Sequence, residues 1–158
     1  MAEVERKFLV ERLPDGLPID SEDEIELGYL AVGDDQVRLR RRADRHLITV
    51  KRGHGMVRDE VEVPLERESF EQLWPLTEGR RLEKTRLTTP VDEHTAEIDL
   101  YKGPLAGLKT VEVEFEDPAA ADAFSPPAWF ARELTEDGRY SNTRLAIEGL
   151  PAEVRREA

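Results

Sequence analysis

The feature that most restricts the fold of this chain is a period-two alternation. Charged residues of successive segments fall on one face, and β-branched or aromatic residues fall on the other. In the first segment Glu3, Glu5 and Lys7 share a face opposite Val4, Phe8 and Val10, with Arg6 the exception. Arg38 and Arg40 oppose Val37 and Leu39, Thr49 and Lys51 oppose Ile48 and Val50, and Arg58, Glu60 and Glu62 oppose Val61 and Val63. Glu97 and Asp99 oppose Ile98 and Leu100, while Glu112 and Glu114 oppose Val111, Val113 and Phe115. The pattern predicts eight strands, roughly at 3–11, 25–32, 36–43, 46–52, 56–63, 81–89, 94–102 and 109–116.

Asp34-Asp35 and Gly53-His54-Gly55 read as hairpin turns, so the strands are expected to run antiparallel in a meander. Arg67 to Thr77 carries Phe70, Leu73, Trp74 and Leu76 at helical spacing, with Ser69 as the cap. Pro118 to Glu133 is Ala-rich and broken by Ser125-Pro126-Pro127, which predicts two short helices, and Ser141 to Ala158 predicts one more. Residues 1–158 are expected to form one α+β domain, its sheet open or closed on itself.

A fully charged face on a sheet is ordinarily its wet side. Here the face carries four acidic pairs two residues apart: Glu3/Glu5, Glu60/Glu62, Glu97/Asp99 and Glu112/Glu114. Members of such a pair lie about 6 to 7 Å apart and repel one another unless something positive stands between them. Hard divalent cations take oxygen ligands, so the acids read as metal ligands. The same parity also holds Lys7, Arg38, Arg40, Lys51, Arg58, Lys84 and Arg86, more cations than one-to-one pairing needs, and these read as an anion cradle. A polyphosphate satisfies both sets, which makes phosphoanhydride chemistry the natural expectation.

The bulk numbers restrict partners. A net charge of −12 and a pI near 4.8 disfavour nucleic acid, while a local basic pocket still admits a small anion. Zero cysteines exclude disulfides, a thiolate metal site and a cysteine nucleophile, and suit a reducing cytoplasm. No apolar run is long enough for a membrane span, and the charged start does not resemble a secretory signal. The expectation is a soluble cytoplasmic protein; a homodimer is allowed but not specified. His46, His54 and His94 are scattered and read as turn or surface residues, no P-loop occurs, and Trp74 and Trp129 sit among apolar neighbours as packing residues.

Taken in order, Glu3-Val4-Glu5-Arg6-Lys7-Phe8, Gly28-Tyr29-Leu30, Val37-Arg38-Leu39-Arg40, Thr49-Val50-Lys51, Arg58-Asp59-Glu60-Val61-Glu62, Lys84-Thr85-Arg86, Glu97-Ile98-Asp99, Gly107-Leu108 and Glu112-Val113-Glu114 resemble the CYTH superfamily, the triphosphate tunnel metalloenzymes. Leu27 stands where that family often has Gln, and the sixth strand has no clean apolar face around Lys84 and Arg86. The resemblance implies an eight-stranded antiparallel β-barrel, a tunnel with the charged parity inside, helices outside and a C-terminal helix near one mouth. It implies that Glu3, Glu5, Glu112 and Glu114, with Asp99 and Glu62, hold Mg²⁺ or Mn²⁺, as two ions. It implies that Lys7, Arg38, Arg40, Lys51, Arg58, Lys84 and Arg86 bind phosphate and, with Glu60, make up the catalytic set. The implied activity is metal-dependent hydrolysis of inorganic triphosphate (tripolyphosphate) to pyrophosphate and phosphate. The same tunnel also serves nucleoside or thiamine triphosphatases and class IV adenylate cyclases, and a non-catalytic polyphosphate or nucleotide binder is the rival from another class.

Overall fold

The computed structural model describes residues 2–53 and 56–155. Eight strands, β1 (Ala2–Leu9), β2 (Ser21–Ala31), β3 (Asp35–Arg42), β4 (Arg45–Arg52), β5 (Val57–Pro64), β6 (Arg81–Val91), β7 (His94–Tyr101) and β8 (Lys109–Phe115), close into an antiparallel barrel in the order β1-β5-β4-β3-β2-β6-β7-β8. The alternation thus has an inside and an outside, and the charged parity lies inside. A simple meander holds only within β2–β5 and within β6–β8. β1 pairs with β5 and β8, and β2 pairs with β6, because closure brings together strands that are distant in sequence.

The seam between β1 and β5 is short, registering only Ala2↔Asp59, Glu3↔Arg58 and Val4↔Val57. Past it, the free edge of β1 is taken over by the C-terminal segment. Leu134 N donates to Lys7 O at 2.7 Å, Leu9 N to Arg132 O at 2.8 Å, and Ala131 N to Leu9 O at 2.7 Å. An otherwise bare strand edge is thereby covered.

Three helical regions pack around this wall. Helix α1 (Arg67–Leu73) tightens into a 3₁₀ turn at Trp74–Thr77, which contains Pro75. Its cap position is Glu66, which makes no side-chain capping bond, so Ser69 is not the cap; it lies inside the helix. Phe70 stacks on Trp74 at 5.3 Å and meets His46 edge-on at 4.8 Å. Helix α2 (Pro118–Ala123) is capped by Asp117, which accepts from Ala120 N at 2.8 Å. The second helix expected before Glu133 does not form: after Ser125-Pro126-Pro127 the chain runs out to pair with β1. Phe124 and Phe130 from this stretch complete the outer core with Val4, Phe8, Ile98, Val111 and Val113.

The C-terminal stretch forms two helices in place of one. Ser141 caps α3 (Asn142–Glu148), and Gly149, at φ +82°, with Pro151 separates it from α4 (Ala152–Arg155). Leu145 of α3, Leu150 of the link and Val154 of α4 pack with Tyr140 against the inward-facing Ile25, Leu27, Leu82 and Tyr101, closing one end of the barrel. His54 and Gly55 of the expected Gly53-His54-Gly55 turn, and the last three residues of the expected final helix, lie outside the described residues. Among the described residues no helix is long and apolar enough to cross a membrane.

Candidate active site

Inside the barrel lies a cavity of about 690 Å³ lined by the residues of the charged parity. The acids and bases are not mixed evenly around it. Strands β1, β7 and β8 present Glu3, Glu5, Glu97, Glu112 and Glu114 with one cation, Lys7, and carry the fully buried Asp99 on the same parity, whereas β3 and β6 present Arg38, Arg40, Lys84 and Arg86. On the third side β4 and β5 interleave Lys51, Arg58, Glu60 and Glu62. The fourth, β2, is apolar inside, with Ile25, Leu27 and Tyr29 buried. The departure at Leu27 therefore belongs to the core that closes one end, and the sixth strand's outer face is filled by Thr85, Leu87 and Thr89.

Sequence register sets the closest approaches. Glu5 is directly opposite Glu114, Lys7 opposite Glu112, Glu97 opposite Glu112, and Arg86 opposite Asp99. Every acidic pair has cationic company. Lys51 lies 3.3 Å from Glu3 and 3.9 Å from Glu60, and Arg58 pairs with Glu5 and lies 3.9 Å from Glu3. Arg40 reaches Glu62 at 3.1 Å, and Lys7 reaches Glu112 at 3.8 Å. Asp99, fully buried, accepts from Arg86 at 2.8 and 2.9 Å and from Lys84 at 2.7 Å, while Arg86 also reaches Glu97 at 3.1 Å.

The balance is incomplete on both walls. The buried Nε–H groups of Arg38, Arg40 and Arg58 have no acceptor among the described residues, a costly state for a donor. On the acid side, burial and then the neighbouring Glu112 push Glu5 up to about 8. Burial followed by Glu3 and Glu97 raises Glu114, and burial with a hydrogen bond to Glu60 raises Glu3. For Glu112, burial works upward, but Lys7 and Arg86 outweigh it and hold the carboxyl down at about 2. Burial likewise opposes Asp99, which Arg86 and Lys84 hold far below the usual carboxylate range. Burial first, joined by the neighbouring Arg86, brings Lys84 down to about 7 against the opposing pull of Asp99.

All the expected site residues line or abut this one cavity, but they play unequal parts. Glu62 accepts from Thr49 Oγ1 at 2.8 Å as well as from Arg40, so it and Asp99 are the acids most fully occupied by protein donors. Among the described residues, no three His, Asp or Glu side chains are arranged as they stand to hold a metal ion, since lysines and arginines lie between them. Glu97, Gln36 and Arg42 join the lining, all on the inward parity that the alternation makes legible. Tyr140 and Asn142 also reach the lining, and no local pattern in the sequence marks them. His46 and His94 lie outside the tunnel, against Phe70 and Phe115.

No family model matches the chain. An inorganic triphosphatase of Nitrosomonas europaea is 44% identical over 154 residues, which cover 93% of this chain and 98% of that protein. An inorganic triphosphatase of Acetivibrio thermocellus is 35% identical over 122 residues, covering 75% and 76%. The crystal structure of an inorganic triphosphatase superposes with a TM-score of 0.70 at 41% identity, covering 92% of this chain and 94% of that one. Identity of 44% along nearly the whole length of both chains, with a barrel that superposes on such a relative, shows that the chain belongs to the inorganic triphosphatases of the CYTH, or triphosphate tunnel, superfamily.

Proposed function

We propose that this protein hydrolyses inorganic tripolyphosphate to pyrophosphate and orthophosphate inside its tunnel. The observation that carries the reading is an acid wall facing a basic wall, with unused donors at the buried Nε–H groups of Arg38 and Arg40 on the basic wall and of Arg58 on the mixed side. A polyphosphate offers acceptors to the basic wall and, through a divalent cation, charge compensation to the acid wall.

The donor set fits Mg²⁺ or Mn²⁺. Glu3 and Glu5, half-buried, and Glu114, more exposed, are oxygen donors whose affinity for a proton is raised by loss of solvent and by neighbouring acids, the condition that a hard cation relieves. In this reading Glu3, Glu5, Glu112 and Glu114 hold the metal. Glu62 and Asp99, expected in the same set, act through the cations they fix: Arg40 for the first, Lys84 and Arg86 for the second. A bound divalent cation supplies Lewis-acid neutralisation of phosphate charge. The chain itself supplies the rest. Arg38, Arg40, Lys84 and Arg86 hold the substrate against the acid wall, and Lys7, Lys51 and Arg58, which reach into the same cavity, compensate the charge that builds up as the terminal anhydride breaks. The barrel wall limits the water that reaches it. The absence of cysteine favours a cytoplasmic setting.

The test is a product assay with tripolyphosphate, ATP and thiamine triphosphate, each with Mg²⁺, Mn²⁺ or EDTA. Orthophosphate from tripolyphosphate, abolished by EDTA and exceeding that from the other two, is the expected result. Cyclic AMP with pyrophosphate from ATP would establish a cyclase in its place, and binding without turnover under every metal would leave a binder.

A further inference from the structure

We infer that Asn142, at the start of α3, is a positioning residue for Lys84, so that the C-terminal segment forms part of the substrate site as well as closing the barrel. The inference rests on the proposed triphosphatase reading, in which Lys84 is a phosphate contact. Lys84 projects from β6 and is only 2% exposed. Its ammonium donates to Asp99 Oδ2 at 2.7 Å and to Asn142 Oδ1 at 3.4 Å, and lies 5.4 Å from the centre of the Tyr101 ring. The Tyr101 hydroxyl donates to the same Asn142 oxygen at 3.0 Å.

The Lys84 ammonium fixes which end of the amide faces it, because an ammonium only donates and the NH₂ end would set donor against donor. An ammonium has three donors, and these two acceptors leave one for a substrate oxygen. Asp99 alone would hold the ammonium through a single hydrogen bond, and it already shares its carboxylate with Arg86. Asn142 provides a second fixed point on a different element. Its own position is set by the Ser141 cap of α3, by the buried Leu145 and by Tyr140, whose carbonyl accepts from Lys7 Nζ at 2.6 Å. Neighbouring groups of one short segment therefore touch two lysines of the basic set.

A double-mutant cycle tests this, with kcat and KM for tripolyphosphate at saturating Mg²⁺, tripolyphosphate binding by calorimetry, and Tm. The variants are Asn142→Ala, Lys84→Met and the double mutant, with Asn142→Asp to keep the acceptor. Ile147→Ala, on the exposed side of α3, is the control and should match wild type. Lys84→Met should fold, since Asp99 keeps its two bonds to Arg86. We expect Asn142→Ala to lower kcat about tenfold with little change in KM or Tm, Asn142→Asp to recover most of it, and no further loss when Asn142→Ala is added to Lys84→Met. Activity of Asn142→Ala within twofold of wild type, an equal loss in both backgrounds, or a loss that follows Tm would overturn the inference while leaving the triphosphatase reading in place. A wild type that neither hydrolyses nor binds tripolyphosphate would overturn both.

Discussion

Glu5 and Glu114 stand directly opposite one another across the β1–β8 ladder, and both hold their protons more tightly than free carboxyls do. For Glu5 the cause is burial first and Glu112 second, with a value of about 8. Such a group is protonated in the folded chain and ionised in the unfolded one between its two pKa values, so stability falls as pH rises through that window. Glu112, at about 2, has already contributed in full above the ordinary carboxylate range and adds no slope there. Lys84, near 7, reverses the trend above neutrality, because the unfolded chain then holds the proton that the buried amine has lost. The metal-free protein should therefore lose roughly 1–3 kcal/mol between about pH 5 and pH 7 and then level off. Thermal melts in EDTA check this; a flat or rising Tm across that interval would contradict the assignment.

If a cation takes the place of those protons, binding it must expel them. Mg²⁺ or Mn²⁺ added at pH 7 should release about one proton per site and raise Tm. Calorimetry in two buffers of different ionisation enthalpy reads the proton count directly. Equal heats in both buffers would mean that Glu5 is already ionised and that its environment is less repulsive than the distances imply.

Replacing a raised carboxyl with its neutral isostere separates repulsion from ligation. Glu5→Gln and Glu114→Gln each remove a carboxyl whose ionised form the folded chain accommodates poorly, so the metal-free proteins should be as stable as wild type or about 0.5–1 kcal/mol more stable. Triphosphatase activity should nevertheless fall at least about 100-fold, since the acid wall loses an oxygen donor. Urea denaturation and the phosphate assay on the same samples give both numbers, and retained turnover in either variant would remove that residue from the metal set.

Asp99→Asn should behave in the opposite way. The carboxylate is fully buried and is bonded to both Arg86 and Lys84, so neutralising it leaves Lys84 without its counter-ion and Arg86 with Glu97 alone. Breaking a buried pair from one side costs about 3–5 kcal/mol, enough to lower Tm sharply in a domain of this size. A variant with an unchanged melting curve would show that Glu97 or Glu112 can take over the compensation.

The contrast between Glu5 and Asp99 marks how far the sequence could be read. Alternation alone places both on one face, because side chains two apart in a strand must share it. It cannot tell that Asp99 is saturated by protein donors and that Glu5 is not, since that depends on which strands become neighbours when the barrel closes. The start of β2 shows a related limit. Ser21-Glu22-Asp23-Glu24 has no alternation, yet it forms strand because Thr85–Thr88 of β6 supply its hydrogen-bond partners. Lys7 is legible as a member of the charged face, whereas the segment that covers its strand edge, Ala131–Thr135, gives no strand signal of its own and is ordered only by the edge it meets. Asn142 is out of reach for the same reason: its role comes from a contact with a residue 58 positions away.

Gly28, the glycine of Gly28-Tyr29-Leu30, gives a test in which stability and activity should part. It points outward, away from the tunnel, and a Cβ there would lie 2.5 Å from Thr77 Oγ1, 2.7 Å from Thr77 Cβ and 2.8 Å from Trp74 Cζ3. Thr77 cannot turn aside without loss, because its hydroxyl donates to Trp74 O at 2.7 Å and accepts from Arg81 Nε at 2.8 Å. Gly28→Ala must therefore push the 3₁₀ turn off the barrel wall, at a cost of about 1–3 kcal/mol for overpacking. The inward residues on either side, Leu27 and Tyr29, keep their place in the β2 ladder, so kcat and KM measured well below the melting temperature should stay within about twofold of wild type. Equal Tm would show that the turn yields freely, and a large loss of kcat with an intact fold would show that the position of β2 is tuned from outside the barrel.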